Sequence, residues 1–300
     1  MKIVLFISIV IIGSAFSAQQ LSFNSQYMLN QYIINPAAAG QHLEAPISLS
    51  VRQQWGGIQG APLSQFISFN RRMGKAQNMA FGTQLFNDVN GAFKNMGMQG
   101  TYAYQLKINE NSKLSFGASA ILSQTTVDGT NFIVNDYSDE TLLGVKQKSS
   151  APDASAGIFY FSQNAFIGAS LNQLLQAKYS FGENLIQNSQ INHIYGSGGI
   201  KIKMGPGYKI EPSFLIKIVG PAPTEIDLNA RFFYRENVWL GFSYRNSGAN
   251  ILMVGLERDR FVIGYAHDFT SSNIKNYSAG TNELHLQYSF KNKHQGATKF

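Results

Sequence analysis

Large apolar side chains alternate with small or polar ones along most of the chain, starting after residue 40. In the segment 208–219, Ile210, Phe214 and Ile216 fall on one face, whereas Lys209 and Glu211 fall on the other. A period of two with many β-branched and aromatic residues predicts half-buried β-strands. We expect about fourteen strands, near residues 45–55, 62–72, 77–87, 93–107, 112–124, 153–162, 164–172, 194–204, 207–218, 225–235, 237–247, 250–258, 260–269 and 282–291.

The connections between these segments alternate between short and long. Every second connection, beginning after the second strand, is a tight turn: 73–76, 109–111, 163, 205–206, 236 and 259. The others include the Gly-rich segments 56–61 and 88–92 and the longer gaps 125–152, 172–193 and 270–281. Such sorting is typical of outer-membrane barrels, and a soluble β-sandwich has no reason to show it. The sequence therefore predicts an all-β fold, a transmembrane outer-membrane β-barrel of about 14 antiparallel strands over residues 44–291, with short periplasmic turns and longer extracellular loops.

The two faces of the predicted strands differ, as they must in a barrel that has lipid outside and a lumen inside. A closed barrel also pairs its backbone polar groups and leaves no strand edge exposed to lipid. The outward face carries apolar side chains, and we expect there Phe214, Ile216, Leu240, Phe242 and Ile263. The inward face takes charges that lipid would reject, namely Arg52, Lys201, Lys203, Lys209, Glu211, Arg231, Arg245 and Glu283. Aromatic residues near strand ends fit the interfacial girdles, and we assign to them Tyr102, Tyr104, Tyr234, Trp239, Tyr244, Tyr265 and Tyr288.

The N-terminus has the features of a secretory signal peptide. Lys2 is positively charged, residues 3–12 are almost continuously apolar, and Ala15-Phe16-Ser17 offers a small-x-small cleavage site. The apolar run is too short to span a bilayer as a helix. We therefore expect residues 1–18 to be removed and the mature chain to be exported to the outer membrane. At the other end, residues 292–300 form a tail beyond the last strand.

The segment between the signal peptide and the barrel, residues 19–43, is rich in apolar and aromatic side chains. Asn35-Pro36 ends any helix, because a proline forces the preceding residue towards extended geometry. Three alanines and Gly40 then allow close approach of backbones. We expect this segment to begin on the periplasmic side and to fold into the lumen or across its mouth, as a plug or as a platform for a partner. The residues that we expect it to bury are Tyr27, Met28, Tyr32 and Ile34.

Composition points to a protein without recognisable catalytic machinery. The chain has no cysteine, which excludes disulfides, thiolate metal sites and cysteine nucleophiles. Its net charge is +7, but Lys and Arg are scattered and do not form the basic stripe that nucleic acid requires. The 5 histidines show no metal-ligand spacing, and we interpret His285 as a hydrogen-bonded residue of the lumen. We therefore expect no enzyme activity, no catalytic residues, no metal and no cofactor.

Two groups of residues each allow two interpretations. Inward-facing lysines could line an anion-selective pore or could pair with carboxylates around a plugged lumen; the lysines are Lys201, Lys203, Lys209 and Lys217, and the carboxylates are Glu211 and Asp227. The two longest gaps contain apolar residues that either form a protein-contact surface or fold back onto their own barrel. These residues are Phe132, Ile133, Tyr179 and Phe181.

Several short motifs stand in the first third of the mature chain. They are Gln26-Tyr27-Met28, Asn35-Pro36-Ala37-Ala38-Ala39-Gly40, Arg52-Gln53-Gln54-Trp55, Gly60-Ala61-Pro62, Asn87-Asp88-Val89-Asn90-Gly91 and Tyr102-Ala103-Tyr104. With them the chain resembles the PorP/SprF family of type IX secretion system outer-membrane proteins over essentially its whole mature length. Ala38 is a departure, since family members often have an aromatic residue at that place.

The resemblance implies a non-enzymatic protein that helps export secreted cargo, such as gliding adhesins, and holds it at the cell surface by binding its C-terminal sorting domain. Some family members are tied to a periplasmic peptidoglycan-binding lipoprotein, which is a second expected partner besides outer-membrane lipid. A solute channel or hydrophobic-compound transporter is the alternative function. The residues that we expect to hold the plug or a partner are Tyr27, Met28, Tyr32, Ile34, Asn35, Pro36, Arg52, Trp55, Phe132, Ile133, Tyr179 and Phe181.

Overall fold

The computed structural model of the protein describes residues 24–131, 146–181, 186–235, 237–271 and 273–291. The predicted signal peptide and the predicted C-terminal tail lie outside these residues. Within them, no helix is long and apolar enough to cross a membrane. The strands are β1 (Ala45–Gln53), β2 (Leu63–Met73), β3 (Met79–Asn90), β4 (Phe93–Asn109), β5 (Ser112–Asp128), β6 (Lys146–Ser162), β7 (Ala165–Asn172), β8 (Lys178–Phe181), β9 (Ile186–Ser189), β10 (His193–Ile200), β11 (Ile202–Gly205), β12 (Tyr208–Val219), β13 (Glu225–Tyr234), β14 (Val238–Arg245), β15 (Ala249–Arg258), β16 (Phe261–Thr270) and β17 (Thr281–Phe290).

The strands form one closed antiparallel barrel with 14 strand positions. Consecutive strands pair from β1 to β7 and from β12 to β17, β10 pairs with β7 and β12, and β1 closes the barrel by pairing with β17. β11 continues β10 after an interruption at Lys201 and pairs with the start of β12, so β10 and β11 together fill one position. β8 and β9 form a separate hairpin within the connection from β7 to β10. The predicted barrel of 14 antiparallel strands is confirmed.

The two ends of the barrel differ in their connections. One end, which we call the short-turn rim, has the connections 74–78, 110–111, 163–164, 206–207, 235–237 and 259–260. The other end, the long-loop rim, has the connections 54–62, 91–92, 129–145, 173–192, 220–224, 246–248 and 271–280. In outer-membrane barrels the short turns face the periplasm and the longer loops face the outside, and we orient this barrel accordingly.

Strand boundaries differ from the sequence prediction mainly at the long-loop rim. β3 reaches Asn90, so the predicted loop 88–92 shrinks to Gly91 and Ala92. β5 and β6 run on to Asp128 and from Lys146, so both strands enter the gap that was predicted at 125–152. The reason is cross-strand pairing, which extends a strand wherever its neighbour continues and which the pattern of a single segment does not reveal.

The apolar face of the strands points to the lipid and the polar face to the lumen, as the alternation predicts. Leu240 and Phe242 are 57% and 53% exposed on the outer wall, whereas Arg245 is buried inside. His285 is also buried inside, where its Nδ1 lies 2.8 Å from the hydroxyl of Ser50. The sequence-based interpretation of His285 as a hydrogen-bonded lumen residue therefore agrees with the structure.

Trp239 does not belong to the aromatic girdle, and its predicted place there is wrong. The side chain is only 1% exposed and faces the lumen, where the guanidinium carbon of Arg231 stands 5.2 Å from its ring centroid. Gly255 on the adjacent strand leaves the space that the indole fills. Val238 and Leu240 take the lipid side, so strand alternation determines the direction of Trp239 whatever the preference of its residue type.

Candidate functional site

The lumen contains the protein's own residues 24–41, which we call the lumen segment. It folds into three short 3-10 turns, Tyr27–Leu29, Gln31–Ile33 and Pro36–Ala38. Asn35 begins the third turn: its backbone is extended, and its side-chain oxygen accepts a hydrogen bond from the N–H of Ala37 at 2.9 Å. Pro36 takes the first helical position, where its missing N–H costs nothing. The Asn35-Pro36 pair therefore starts a turn and does not simply end a helix.

The side chains of the lumen segment reach walls on different sides of the barrel. Tyr27 packs in a cluster with Leu215 of β12, and Tyr32 packs in another cluster with Ala103 of β4. Both tyrosines are 1% exposed. The other expected plug residues are buried or half-buried in the same segment: Met28, Ile34, Asn35 and Pro36. The lumen segment therefore extends across the lumen from wall to wall.

Glycines in the barrel wall make room for this segment. A Cβ atom on Gly82 would lie 2.6 Å from the ring of Tyr32, which is closer than real Cβ atoms come. A Cβ atom on Gly117 would collide with the peptide between Pro36 and Ala37. Glycine within a strand often marks a close approach of another chain segment, and the sequence carried this signal in its inward-facing glycines.

Neutral hydrogen bonds attach the middle of the lumen segment to β6 and β7. The side-chain amide of Asn35 donates to the carbonyls of Ile158 and Ala169, at 3.1 and 3.2 Å. The carbonyl of Ile34 accepts from the hydroxyl of Ser170 at 2.6 Å. Buried polar groups need such partners, because no bulk water replaces them. Asn35 is thus both the cap of a turn and an attachment point on the wall.

A buried group of charges holds the N-terminal end of the lumen segment. Arg52 donates to Asp268 at 2.7 Å and to Glu283 at 3.2 Å. Glu283 also accepts hydrogen bonds from the backbone N–H groups of Ser25 and Gln26, at 2.6 and 3.0 Å. Arg52 is 5% exposed and the two carboxylates are less exposed still. Removing one member would leave an uncompensated charge in a buried site, which is strongly unfavourable.

Arg245 extends this charge network along the wall. It pairs with Asp227 at 2.9 Å and lies 3.7 Å from Asp268. The hydroxyl of Ser25 accepts from Arg245 at 3.3 Å and from Arg52 at 2.7 Å, and it donates to Asp268 at 2.8 Å. Sequence reasoning placed both arginines on the inward face but missed Ser25 and Asp268. Alternation along β16 could have indicated Asp268, because Asp268 shares its parity with the buried Ala266.

The lumen segment runs from one rim of the barrel to the other. Ser25 contacts Glu283, which lies near the start of β17 on the side of the long-loop rim. The carbonyl of Gly40 accepts a hydrogen bond at 2.6 Å from Arg72, which lies near the end of β2 on the side of the short-turn rim. At residue 24, where the described residues begin, the segment therefore lies at the long-loop rim and not at the short-turn rim, where we expected it to begin; residues 19–23 lie outside the described residues. The carboxylates and arginines that bind Ser25 stand on strand ends at the opposite rim.

The β8–β9 hairpin packs onto the barrel's own strands at the long-loop rim. Tyr179 and Phe181 are 1% and 4% exposed and belong to one cluster with Val127 and Ala151. The hydroxyl of Tyr179 lies 2.6 Å from the hydroxyl of Ser123 on β5. Of the two interpretations of these aromatic residues, the structure agrees with the second, since both side chains pack back onto their own barrel.

The remaining expected contact residues lie elsewhere. Trp55 is half-buried in the connection 54–62, and its backbone N–H donates to the hydroxyl of Thr281 at 3.2 Å. It neighbours the start of β17 but lies outside the lumen segment and its charge network. Phe132 and Ile133 lie outside the described residues.

A family model described as "Type IX secretion system membrane protein PorP/SprF" matches residues 16–288 of the chain. The chain belongs to the PorP/SprF family. The resemblance inferred from its sequence motifs is confirmed, and the PorP/SprF chain is thereby associated with type IX secretion and with the outer membrane. No curated protein sequence matches it.

Solved structures with a similar fold are barrels as well. The PorP/SprF chain is similar to the monoaromatic hydrocarbon channel CymD, with 12% identity and a TM-score of 0.52 over 90% of this chain and 94% of that one. It is also similar to the toluene transporters TbuX of Ralstonia pickettii and TodX of Pseudomonas putida, with 13% and 10% identity. Both have a TM-score of 0.50 and cover 88% of this chain, and the alignments cover 93% and 94% of theirs. At such identities the likeness shows the fold alone.

Proposed function

We propose that this PorP/SprF barrel holds type IX cargo at the cell surface by binding the cargo's C-terminal sorting domain at the long-loop rim. The observation that supports this most is the lumen segment, which contacts opposite walls and is buried along residues 24–40 except at the half-buried Met28 and Ile33. A barrel filled in this way has no wide aqueous path for a solute. Its accessible surfaces for a protein partner are its two rims.

The long-loop rim offers a rigid base for such binding. Asp128 and Lys146 stand directly opposite each other at the ends of β5 and β6 and form an ion pair at 2.8 Å. The β8–β9 hairpin packs against these strands through Tyr179. A contact loop carried by rigid strands loses less conformational entropy on binding than a loop on a mobile base. The connection 129–145, which includes Phe132 and Ile133, continues from this base and is our candidate for cargo contact.

Replacing residues 129–145 with Asn-Gly tests the proposal. Because Asp128 and Lys146 are directly paired, a short turn of this type can close the β5–β6 hairpin without altering the barrel. We expect cells with this variant to release most of their surface-held cargo into the medium, measured with a labelled adhesin on intact cells. The barrel itself should keep its heat-modifiable mobility on cold detergent gels.

The matched control places the same Asn-Gly pair at 163–164, the turn at the other end of β6. Its surface cargo should equal that of the wild type. Unchanged surface cargo in the 129–145 variant, or equal loss in the control, would contradict the proposal.

A solute channel or hydrophobic-compound transporter is the alternative function. The lumen segment counts against it, because Tyr27 and Tyr32 fill the path between opposite walls. Planar-bilayer recordings separate the two functions. Our proposal predicts no steady conductance from the purified barrel, whereas stable conductance without any partner protein would favour the channel.

A further inference from the structure

Basic residues from separate strands gather around the lumen mouth at the short-turn rim. They are Arg72 on β2, Lys107 on β4, Lys113 on β5, Lys201 between β10 and β11, and Lys203 on β11, and we call them the cationic mouth. Arg72 donates to the carbonyls of Gly40 and Gln41, where the chain leaves the lumen, at 2.6 and 2.8 Å. Lys107 and Lys113 stand directly opposite each other in the pairing of β4 with β5. Since β2 and β10 stand nearly opposite each other in the strand order, the two sides of the mouth contribute to one positive field.

Acidic residues near the mouth balance only part of this charge. Glu110 pairs with Lys107 at 2.6 Å, but both side chains are exposed, and such pairs contribute little. Glu211 already forms ion pairs with two cations, since Lys209 lies 2.8 Å and Arg231 lies 2.5 Å from its oxygens. Arg231 also pairs with Glu257 at 3.2 Å, so these two carboxylates balance Lys209 and Arg231 and are not left over for the lysines of the cationic mouth.

Lys201 and Lys203 carry the positive charge that these carboxylates do not balance. Both are exposed, and neither forms an ion pair with any residue that the structure describes. Lys203 also stands directly opposite Lys209 in the pairing of β11 with β12, and like charges in that position destabilise a strand pair. An anion bound at the mouth would relieve this repulsion, and a concave site concentrates the field that attracts it.

The side chains of the cationic mouth face the aqueous mouth and not the lipid. Ile200, Ile202 and Met204 are exposed on the lipid-facing side of the wall, so Lys201 and Lys203 between them point to the opposite side. Lipid head groups gather around the outer wall and do not reach this position. A small anion could contact one or two of these cations. An extended chain of carboxylates could reach from Lys107 and Lys113 on β4 and β5 past β6 and β7 to Lys201 and Lys203, since neighbouring strands lie only about 4.8 Å apart.

We propose that the cationic mouth is a docking site for an acidic segment of a periplasmic protein. The site lies at the opposite rim from the proposed cargo contact and is independent of it. The pore interpretation of the same lysines does not fit, because the lumen segment continues directly behind them through Gly40 and Gln41 to Arg72.

The test uses the full-length protein in detergent and a fluorescein-labelled decaglutamate peptide as the probe. The mouth variant combines Lys107→Gln, Lys201→Gln and Lys203→Gln. We expect it to bind the peptide at least about tenfold more weakly than the wild type at low salt, with a flatter dependence on salt concentration. The matched control combines Lys94→Gln, Lys148→Gln and Lys275→Gln, three exposed lysines at the long-loop rim, and should bind within about twofold of the wild type.

Both variants must show wild-type heat-modifiable mobility, so that a change in binding is not a change in folding. Wild-type affinity in the mouth variant, or an equal loss in the control, overturns the proposal. Displacement of the peptide by phosphatidylglycerol micelles but not by phosphatidylcholine micelles would show that the cationic mouth binds anionic lipid, and this result would also overturn the proposal. Inorganic phosphate should displace the peptide no more strongly than sodium chloride of equal ionic strength does. That result supports a site that binds a chain of carboxylates.

Discussion

The two parts of the lumen segment are attached to the barrel by different physical means. Ser25 and Gln26 are attached by charge, through Glu283 and its partner Arg52. The middle of the segment, around Asn35, is attached by shape and by neutral hydrogen bonds to β6 and β7. A charged attachment in a buried site fails as a whole when one partner is lost, whereas a fitted surface weakens in proportion to the volume that is changed.

The largest effect is expected from Arg52→Met. The substitution nearly keeps the volume but leaves Glu283 buried without its cation and Asp268 with only the more distant Arg245, at 3.7 Å. We expect a loss of about 3–5 kcal/mol in the free energy of unfolding, measured by urea titration in detergent, together with new conductance in planar bilayers. Arg71→Met, an exposed arginine at the other rim, is the control and should stay near the wild type. A loss in Arg52→Met no larger than in this control would refute the importance of the charge network.

Gly117→Ala tests the fitted part of the segment. The added methyl group would collide with the peptide between Pro36 and Ala37, so the segment must shift. We expect a loss of about 1–3 kcal/mol in the free energy of unfolding. In Gly100→Ala the added group meets nothing within 4 Å, and this variant should be at least as stable as the wild type. Equal stability of the two alanine variants would show that the segment does not press on the wall.

Asn35→Ala removes a turn cap and two hydrogen bonds to the wall at once. We expect it to cost about 1–2 kcal/mol of stability and to increase proteolysis of the lumen segment, detected by mass spectrometry. Asn90→Ala, at an exposed strand end, is the matched control. If Asn35→Ala resists proteolysis as well as the control does, the neutral bonds are not what holds the middle of the segment.

The smallest effect is expected from Tyr179→Phe, which lies outside the lumen segment. It removes the hydroxyl that contacts Ser123 at 2.6 Å and accepts from Gln190 at 2.9 Å, for a cost of about 0.5–1.5 kcal/mol. Faster hydrogen exchange should be confined to the β8–β9 hairpin, with the lumen segment unchanged. Tyr277→Phe, whose ring is 80% exposed, should exchange as the wild type does. Exchange that spreads into the lumen segment would mean that hairpin and segment form one cooperative unit.

Local patterns were sufficient to predict the barrel, because the direction of a strand side chain depends on its parity alone. Leu240 and Phe242 face lipid and Arg245 faces the lumen for this reason. The same rule corrects Trp239, for which the preference of the residue type for a membrane interface was given too much weight. Where prediction of the strands failed, as at Asp128 and Lys146, the strand ends depend on a partner strand and not on their own sequence.

The lumen segment was recognisable in the sequence as unusual, but its path was not. Asn35-Pro36 and the three alanines indicated a segment that is terminated and that permits close approach of backbones. Neither feature shows which way the segment runs through the barrel. Direction comes from contacts such as that of Ser25 with Asp268, 243 residues apart. Such pairs have no local signature.

The sequence by itself determined the number of strands, their two faces, the unequal connections and the family, because these depend on periodicity and short motifs. Only the tertiary structure decided that the lumen is filled by residues 24–41 and that this segment starts beside the long-loop rim. It also decided that Tyr179 and Phe181 pack onto their own barrel. The physical reason is that closing the barrel brings distant charges, glycines and hydroxyls together around one buried space, and their mutual fit depends on that closure.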